Sequence, residues 1–282
     1  MDLGKLKYFL GLEIARSNQG IYLNQRKYTL EFLEESGLLA TKPSTTPFYC
    51  SLMLHDSESP PHEDETAYRR LVGKLLYLTT TRPDIAFIVQ HLSRFISKPL
   101  QVHHSAAIRV LKYLKGALAK GLFYSFSSTL KFSGFTDSDW ASCPATRRSV
   151  TGYCVFIGTS LVSWKSKKKS TVSRSSSEAE YRALVSLSYE LQWLQYLFQD
   201  LHISIDEPSS VYCDNKSAIY LDCHVIREKI QNGLIHLLPV SSVAQSTDVL
   251  TKPLHVASFT SLVSKLGLLD IHSPACEGYY MM

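Results

Sequence analysis

The spacing of apolar residues changes character near residue 121. KLKYFLGLEIAR alternates as a strand, and NQGIYLNQR continues it through a Gly turn, which predicts a hairpin. KYTLEFLEESGLLA then switches to helical spacing, with Tyr28, Leu30, Phe32, Leu33 and Leu38 on its stripe and Gly37 near its end. Residues 42–65 are rich in Pro, Ser and Thr and read as loop. TAYRRLVGKLLYLTTTRPDIAFIVQHLSRFISKP predicts two helices. The first carries Tyr68, Leu71, Leu75 and Leu78; the second starts behind Pro83 and carries Ile85, Ile88 and Leu92. VHHSAAIRVLKYLKGALAKG predicts another. Apolar stripes on three adjacent helices make a packed bundle and carry no chemistry by themselves.

Beyond residue 121 the pattern is of short strands: LFYSF, LKFSGFTDSDW, VTGYCVFIG, SLVSW and the STVS run. One long helix follows, EAEYRALVSLSYELQWLQYLFQDL, and then the strand SSVYCD. Strands, a helix and a strand that rejoins them predict an α/β fold with mixed pairing. REKIQNGLIHLLPV, a QSTDVLTK helix stopped by Pro253, and FTSLVSKLGLL close the chain. The expected division is therefore 1–120, 121–271 and a disordered tail over 272–282.

Composition narrows the class without naming it. At 282 residues and 45% hydrophobic content, the chain has enough core for about two domains without staples. A net charge of +5 fits a polyanion partner but does not demand one. The six cysteines (50, 143, 154, 213, 223 and 276) form no CxxC and no zinc spacing, so they read as small buried hydrophobes. There is no signal-peptide pattern and no 18-residue apolar span. The expectation is an intracellular protein, in cytoplasm or nucleus, not secreted and with no membrane partner. The opening MDLGKLKYFLGLEI starts almost inside a strand, as a fragment of a larger design would.

Four acids stand at element boundaries. Asp137 ends LKFSGFTD; alternation puts Lys131, Ser133, Phe135, Asp137 and Asp139 on one side and does not choose between the two acids. Asp–Ser–Asp is also ordinary turn chemistry. Glu180 falls on the stripe of Leu184, Leu187, Leu191 and Leu194, whereas Glu178 projects with Arg182, Val185 and Tyr189. An acid in a first helical turn is common, but one aligned with the core-facing stripe is less so. Asp214 ends VYCD, with Asn215 or Ser217 placed to cap the next helix. Asp248 opens a short helix, where a surface acid is the plainer reading. Individually each has a bland explanation. Together, strand-end and helix-start acids suit two hard divalent cations. No GxxxxGK[ST] or GxGxxG phosphate loop competes with that reading.

A basic run supplies the complement. Lys165, Lys167, Lys168, Lys169 and Arg174 fall within ten residues, and Arg147 with Arg148 sits in a separate turn. Such a strip is either a solvated hairpin tip or a track for a phosphate backbone with salt-dependent binding. Trp140 and Trp164 read as packing residues.

These segments resemble the Pol polyprotein of Ty1/copia-type LTR retrotransposons. DLGKLKYFLGLEIARSNQGIYLNQRKYTLEFLEESGLL, YRRLVGKLLYLTTTRPDIAFIVQHLSRF and AAIRVLKYLKG resemble the end of its reverse transcriptase, in the thumb and connection regions. FTDSDWAS, RRSVTGYCVFIGTSLVSWKSKKKSTVSRSSSEAEYRAL, YCDNKSAI and QSTDVLTKPL resemble its ribonuclease H domain. The resemblance implies a ribonuclease H-like mixed sheet with flanking helices, preceded by a mainly helical reverse transcriptase remnant. It implies Asp137, Glu180, Asp214 and Asp248 as catalytic and metal-binding carboxylates, holding two Mg2+ ions. It implies an RNA–DNA hybrid as partner and hydrolysis of its RNA strand.

Departures from the family set a second expectation beside the first. The YVDD palm motif is absent, so the chain is not expected to polymerise DNA on its own. The family's histidine- and arginine-bearing segment after CDNKSAI is missing, with the seam at Ile219–Leu221, and Thr247 stands where Ala is common. The alternative is accordingly an inert retroelement remnant that at most binds nucleic acid through its basic strip.

Overall fold

The structure, a computed structural model, describes residues 6–51, 54–55, 58–205, 207–219 and 224–270. The Ile219–Leu221 seam and the 272–282 tail reach outside the described residues. Two compact units are present: one comprises described residues up to Ser127 and from Pro253 onward, the other Ser128–Lys252.

The first unit begins with strands β1 (Tyr8–Phe9), β2 (Leu12–Arg16) and β3 (Gly20–Asn24). Helices α1 (Arg26–Glu35), α2 (Glu65–Leu78), α3 (Ala86–Leu92) and α4 (Gln101–Lys115) follow, then strand β4 (Lys120–Ser125). The expected hairpin is β2–β3, paired antiparallel from Glu13↔Asn24 to Arg16↔Ile21. KLKYFLGLEIAR is not one strand, because Leu10 and Gly11 take positive φ (48° and 75°) and fold β1 back on β2. Gly37, at φ 65°, ends α1 as its position suggested. Pro83 opens a short 3-10 turn rather than α3 itself.

The LFYSF strand departs from expectation. It pairs with β3 (Tyr22↔Phe123), so the first unit carries a sheet of its own beside its helices. The cause is a free edge: β3 needs a partner for its outer N–H and C=O groups, and an alternating strand supplies them. The expected boundary at 120/121 accordingly lies a few residues before the start of the second unit.

The second unit contains β5 (Phe132–Asp139), β6 (Val150–Ile157), β7 (Ser160–Lys168) and α5 (Ser176–Asp200). It continues with β8 (Ser209–Cys213), α6 (Lys216–Ile219), α7 (His224–Gln231), β9 (Ile235–Pro239) and α8 (Asp248–Thr251). The chain then returns to the first unit as α9 (Val256–Lys265) and β10 (Leu268–Asp270), the latter pairing with β4. STVS is not a strand: pairing with β6 holds β7 extended through the basic run to Lys168 and stops there.

The second sheet runs β7-β6-β5-β8-β9, with β5–β7 antiparallel and β8 and β9 parallel to β5. This is the expected ribonuclease H-like mixed sheet with flanking helices. Leu184, Leu187, Leu191 and Leu194 of α5 pack on Phe132, Tyr153, Val155, Val211 and Ile235. Each such leucine contributes about 1.5–3 kcal/mol. Helix and sheet meet closely at Gly134, where a Cβ would lie 2.9 Å from Leu187. On the opposite face Gly152 pairs with Asp137, and a Cβ there would lie 2.7 Å from Thr251 and 2.9 Å from Leu250. Any larger residue at 152 therefore pushes away α8, the helix that carries Asp248. Cys143, Cys154 and Cys213 are buried free thiols, and Cys50 is exposed. No helix among the described residues is long and apolar enough to cross a membrane.

Candidate metal centre

Each of the four acids reaches one region of the second unit from a different element. Asp137, near the end of β5, is 1% exposed, while Asp139 is half-buried at the strand terminus. Alternation left these two equal; burial separates them. Glu180 rides on α5, whose start is fixed by Ser175 Oγ accepting from the Glu178 N–H (3.1 Å). Glu178 turns away, accepting from the Arg174 N–H (2.8 Å) and pairing with Arg182 (2.7 Å). The helix start thus uses one glutamate for its cap and sends the other, on the apolar stripe, inward. Asp214 follows β8, and Asn215 caps α6 by accepting from the Ala218 N–H (3.0 Å).

The contacts tie these acids together. Lys252 Nζ lies 3.2 Å from Asp137 Oδ1 and 3.0 Å from Asp248 Oδ1. Thr251 Oγ1 donates to Asp137 Oδ2. Glu180 Oε1 accepts from the Ser138 N–H (3.1 Å), while Glu180 Oε2 is buried with no hydrogen-bond partner. Ligand atoms of Glu180, Cys213 and Asp214 lie within 4.8 Å of one another. Asp214 accepts from Ser242 Oγ (3.2 Å) and Gln245 Nε2 (3.5 Å), and Gln245 also donates to the Thr136 carbonyl (3.0 Å). Asp137, Glu180, Asp214 and Lys252 line a cleft of about 520 Å³, with Asp139 and Trp140 also on its wall. Trp140 is 44% exposed, so it does not pack as expected: its Nε1 donates to the Ser173 carbonyl (3.0 Å) and the ring stays open to solvent.

Electrostatics show the strain of this crowding. Burial first, then Asp137 and Asp214, pushes the Glu180 carboxyl up to about 9. Burial and Asp137 raise Asp248 to about 6 against the opposing pull of Lys252. Lys252 itself is raised, because Asp137 and Asp248 outweigh the burial that would lower it. Burial holds the Cys213 thiol up at about 12, so it stays neutral and is a poor ligand. What remains is a set of carboxylate oxygens, one of them buried and unpartnered. That set fits hard divalent cations such as Mg2+.

These shifts make stability depend on pH. With divalent ions chelated, folded Glu180 keeps its proton while the unfolded chain, at the ordinary 4.5, has lost it. The folded state then binds more protons than the unfolded one, so stability falls as pH rises from 4.5 through about 9. Asp248 adds the same sign between 3.8 and about 6. Stability in EDTA is read as the difference from Glu180→Gln, so that the opposing His103, His104 and Cys143 contributions cancel. On that scale the wild type is expected to weaken by about 2–4 kcal/mol from about pH 5 to about pH 8, and Mg2+ to restore most of it. A flat or rising difference in EDTA contradicts this.

The basic residues divide. Arg147 and Arg148 are exposed in the β5–β6 connection, and Arg174 is exposed ahead of α5. Lys165 and Lys167 project outward from the edge strand β7, with Ser166 buried between them. Lys168 and Lys169 depart from the expected strip. Lys168 Nζ bonds the Cys143 sulfur (2.8 Å), and Lys169 Nζ, partly buried, bonds Ser186 Oγ (2.8 Å). Lys168 ends β7 and Lys169 follows it, and these bonds turn both side chains away from the strip. Sequence reasoning also missed Thr251, Lys252, Ser242 and Gln245 as partners of the acids. Only Lys252 left a signal, its i+4 spacing from Asp248.

Comparison with known proteins gives the chain its relatives. It is 40% identical to the retrovirus-related Pol polyprotein from transposon RE2 of Arabidopsis thaliana, over 97% of this chain and 20% of that one. It is 39% identical to the corresponding polyprotein from transposon RE1 of the same plant, over 96% of this chain and 19% of that one. The chain thus spans about a fifth of the length of these relatives. No profile of a known protein family matches it. Among solved structures, the N-terminal RNase H domain of rv2228c from Mycobacterium tuberculosis, fused to maltose-binding protein, aligns at 11% identity and a TM-score of 0.31. That alignment covers 48% of this chain and 98% of the other. The ribonuclease H-like fold rests on the mixed sheet and its flanking helices, not on this likeness.

Proposed function

The chain belongs to the retrovirus-related Pol polyproteins of copia-type transposons, and from that premise we propose that its second unit hydrolyses the RNA strand of an RNA–DNA hybrid. The observation that carries the reading is the buried, unpartnered Glu180 Oε2 beside Asp214, in a region that Asp137 and Asp248 also reach. A carboxylate oxygen desolvated without a donor is costly unless the group takes up a proton or a cation completes it. Asp137, Glu180, Asp214 and Asp248 are the residues that would hold two Mg2+ ions. When bound, such a pair supplies an activated water and a counter-charge for the leaving oxygen.

The chain's own contribution is orientation. Thr251 and Lys252 fix Asp137, the Ser138 N–H fixes Glu180, and Ser242 with Gln245 fixes Asp214. Exposed Arg147, Arg148, Lys165, Lys167 and Arg174 would follow the phosphate backbone, while contacts to the 2′-hydroxyl would select the RNA strand. The first unit corresponds, in this reading, to the end of a reverse transcriptase.

The test is cleavage of a labelled RNA–DNA hybrid by the whole chain with Mg2+. The wild type should cut the RNA strand, and Asp214→Asn should lose at least about 100-fold. No Mg2+-dependent cleavage, or equal cleavage by both, overturns the enzymatic reading. Salt-sensitive binding without cleavage selects the binding remnant instead.

A further inference from the structure

The two sides of the acid cluster are not equivalent. Asp214 takes hydrogen bonds from the neutral donors Ser242 and Gln245, and Glu180 Oε2 takes none. Asp137 and Asp248 instead share the ammonium of Lys252, and Thr251 occupies the second oxygen of Asp137. Both oxygens of a carboxylate only 2% exposed are therefore engaged from within the chain. The placement of Lys252 has a local cause. Pro253 forces the residue before it into extended backbone, observed at φ −129° and ψ 149°, and this ends α8 after one turn. The lysine side chain, four residues after Asp248, then runs back along the helix to that acid and to Asp137. It keeps 33% exposure, so a modest rotation carries the ammonium out to solvent.

We propose that Lys252 is a tethered counter-ion of the Asp137–Asp248 side, and that it competes there with a divalent cation for the same Oδ1 oxygens. It is a positioning residue and touches no substrate. The proposal rests on the four-acid reading and adds a regulatory feature to it: two unequal cation sites. The Glu180–Asp214 side carries no ammonium partner among the described residues and fills first. The Asp137–Asp248 side fills only when Lys252 yields, so its apparent affinity is lowered by the fraction of molecules in which the lysine is in place.

The test is Mn2+ titration calorimetry on the whole chain, with melting in EDTA as a second readout that needs no metal. Wild type should show a tight and a weak class of site. In Lys252→Met the weak class should tighten by about tenfold, with the tight class unchanged. In EDTA the same variant should melt several degrees lower, of order 5 °C, because Asp137 and Asp248 lose their counter-charge. Lys252→Arg should restore the melting point. Should Lys252→Met fail to fold, Lys252→Gln carries the same expectations. Normal Mn2+ binding with no tightening, or an unchanged melting point in EDTA, overturns the lysine's role and leaves the four-acid centre standing. Absence of Mn2+ binding in wild type and variant alike overturns both.

Discussion

Replacing Glu180 by Gln is expected to abolish cleavage and at the same time to stabilise the cation-free protein. The two effects have one cause. Glu180 is buried beside Asp137 and Asp214, so folding at neutral pH forces it to hold a proton that the unfolded chain has released. Gln keeps the volume and still accepts from the Ser138 N–H, but carries no charge to desolvate. Stability in EDTA near pH 8 should rise by about 1–3 kcal/mol, against the usual direction for a buried substitution. Activity should fall by at least about 100-fold, since a neutral amide is a poor ligand for a hard cation. Denaturant melts and the hybrid cleavage assay read the two effects separately. Retained cleavage, or a clear loss of stability, counts against the assignment of Glu180.

The second large effect belongs to the first unit and to stability alone. Arg82 forms a forked pair with Asp84 (Nε to Oδ1 2.9 Å, Nη2 to Oδ2 2.7 Å) and also reaches the Ala117 carbonyl (2.8 Å). Tyr113 donates to the same Asp84 oxygen (2.6 Å). Both charged side chains are sealed, at 3% and 0% exposure. Although burial opposes ionisation, Arg82 holds Asp84 below the ordinary carboxylate value. Arg82→Ala leaves a buried carboxylate without its partner and should cost about 3–5 kcal/mol. Arg82→Met combined with Asp84→Leu should cost far less, because no charge is then stranded. A loss below about 1 kcal/mol for Arg82→Ala, read from urea midpoints, contradicts this expectation.

How much of this was visible in the sequence depended on which interaction decided each feature. Glu180 was legible because helical periodicity alone separates it from Glu178. Asp137 and Asp139 were not separable, since period two places both on one face; distance from solvent at the strand end decided between them. LFYSF has the alternation of a strand, but alternation does not say which sheet it joins, and β3 with its free edge took it. Lys168 and Lys169 read as a continuation of the basic strip until Cys143 and Ser186 drew them inward. Lys252 carried a helical spacing signal, yet its second partner, Asp137, lies 115 positions away and is reached only through the sheet. Local pattern thus located most of the elements and, at Glu180, the acid that faces inward. Apart from the i,i+4 pair of Lys252 with Asp248, the contacts that arm or restrain the acids are long-range.

The central claim is that Asp137, Glu180, Asp214 and Asp248 form one divalent centre, and anomalous diffraction from a Mn2+-soaked crystal tests it most directly. Two peaks about 4 Å apart are expected within ligand distance of these carboxylates, with the Lys252 ammonium displaced from Asp137. Mn2+ bound elsewhere on the chain, with Lys252 still between Asp137 and Asp248 and Glu180 Oε2 unligated at saturating metal, would contradict it.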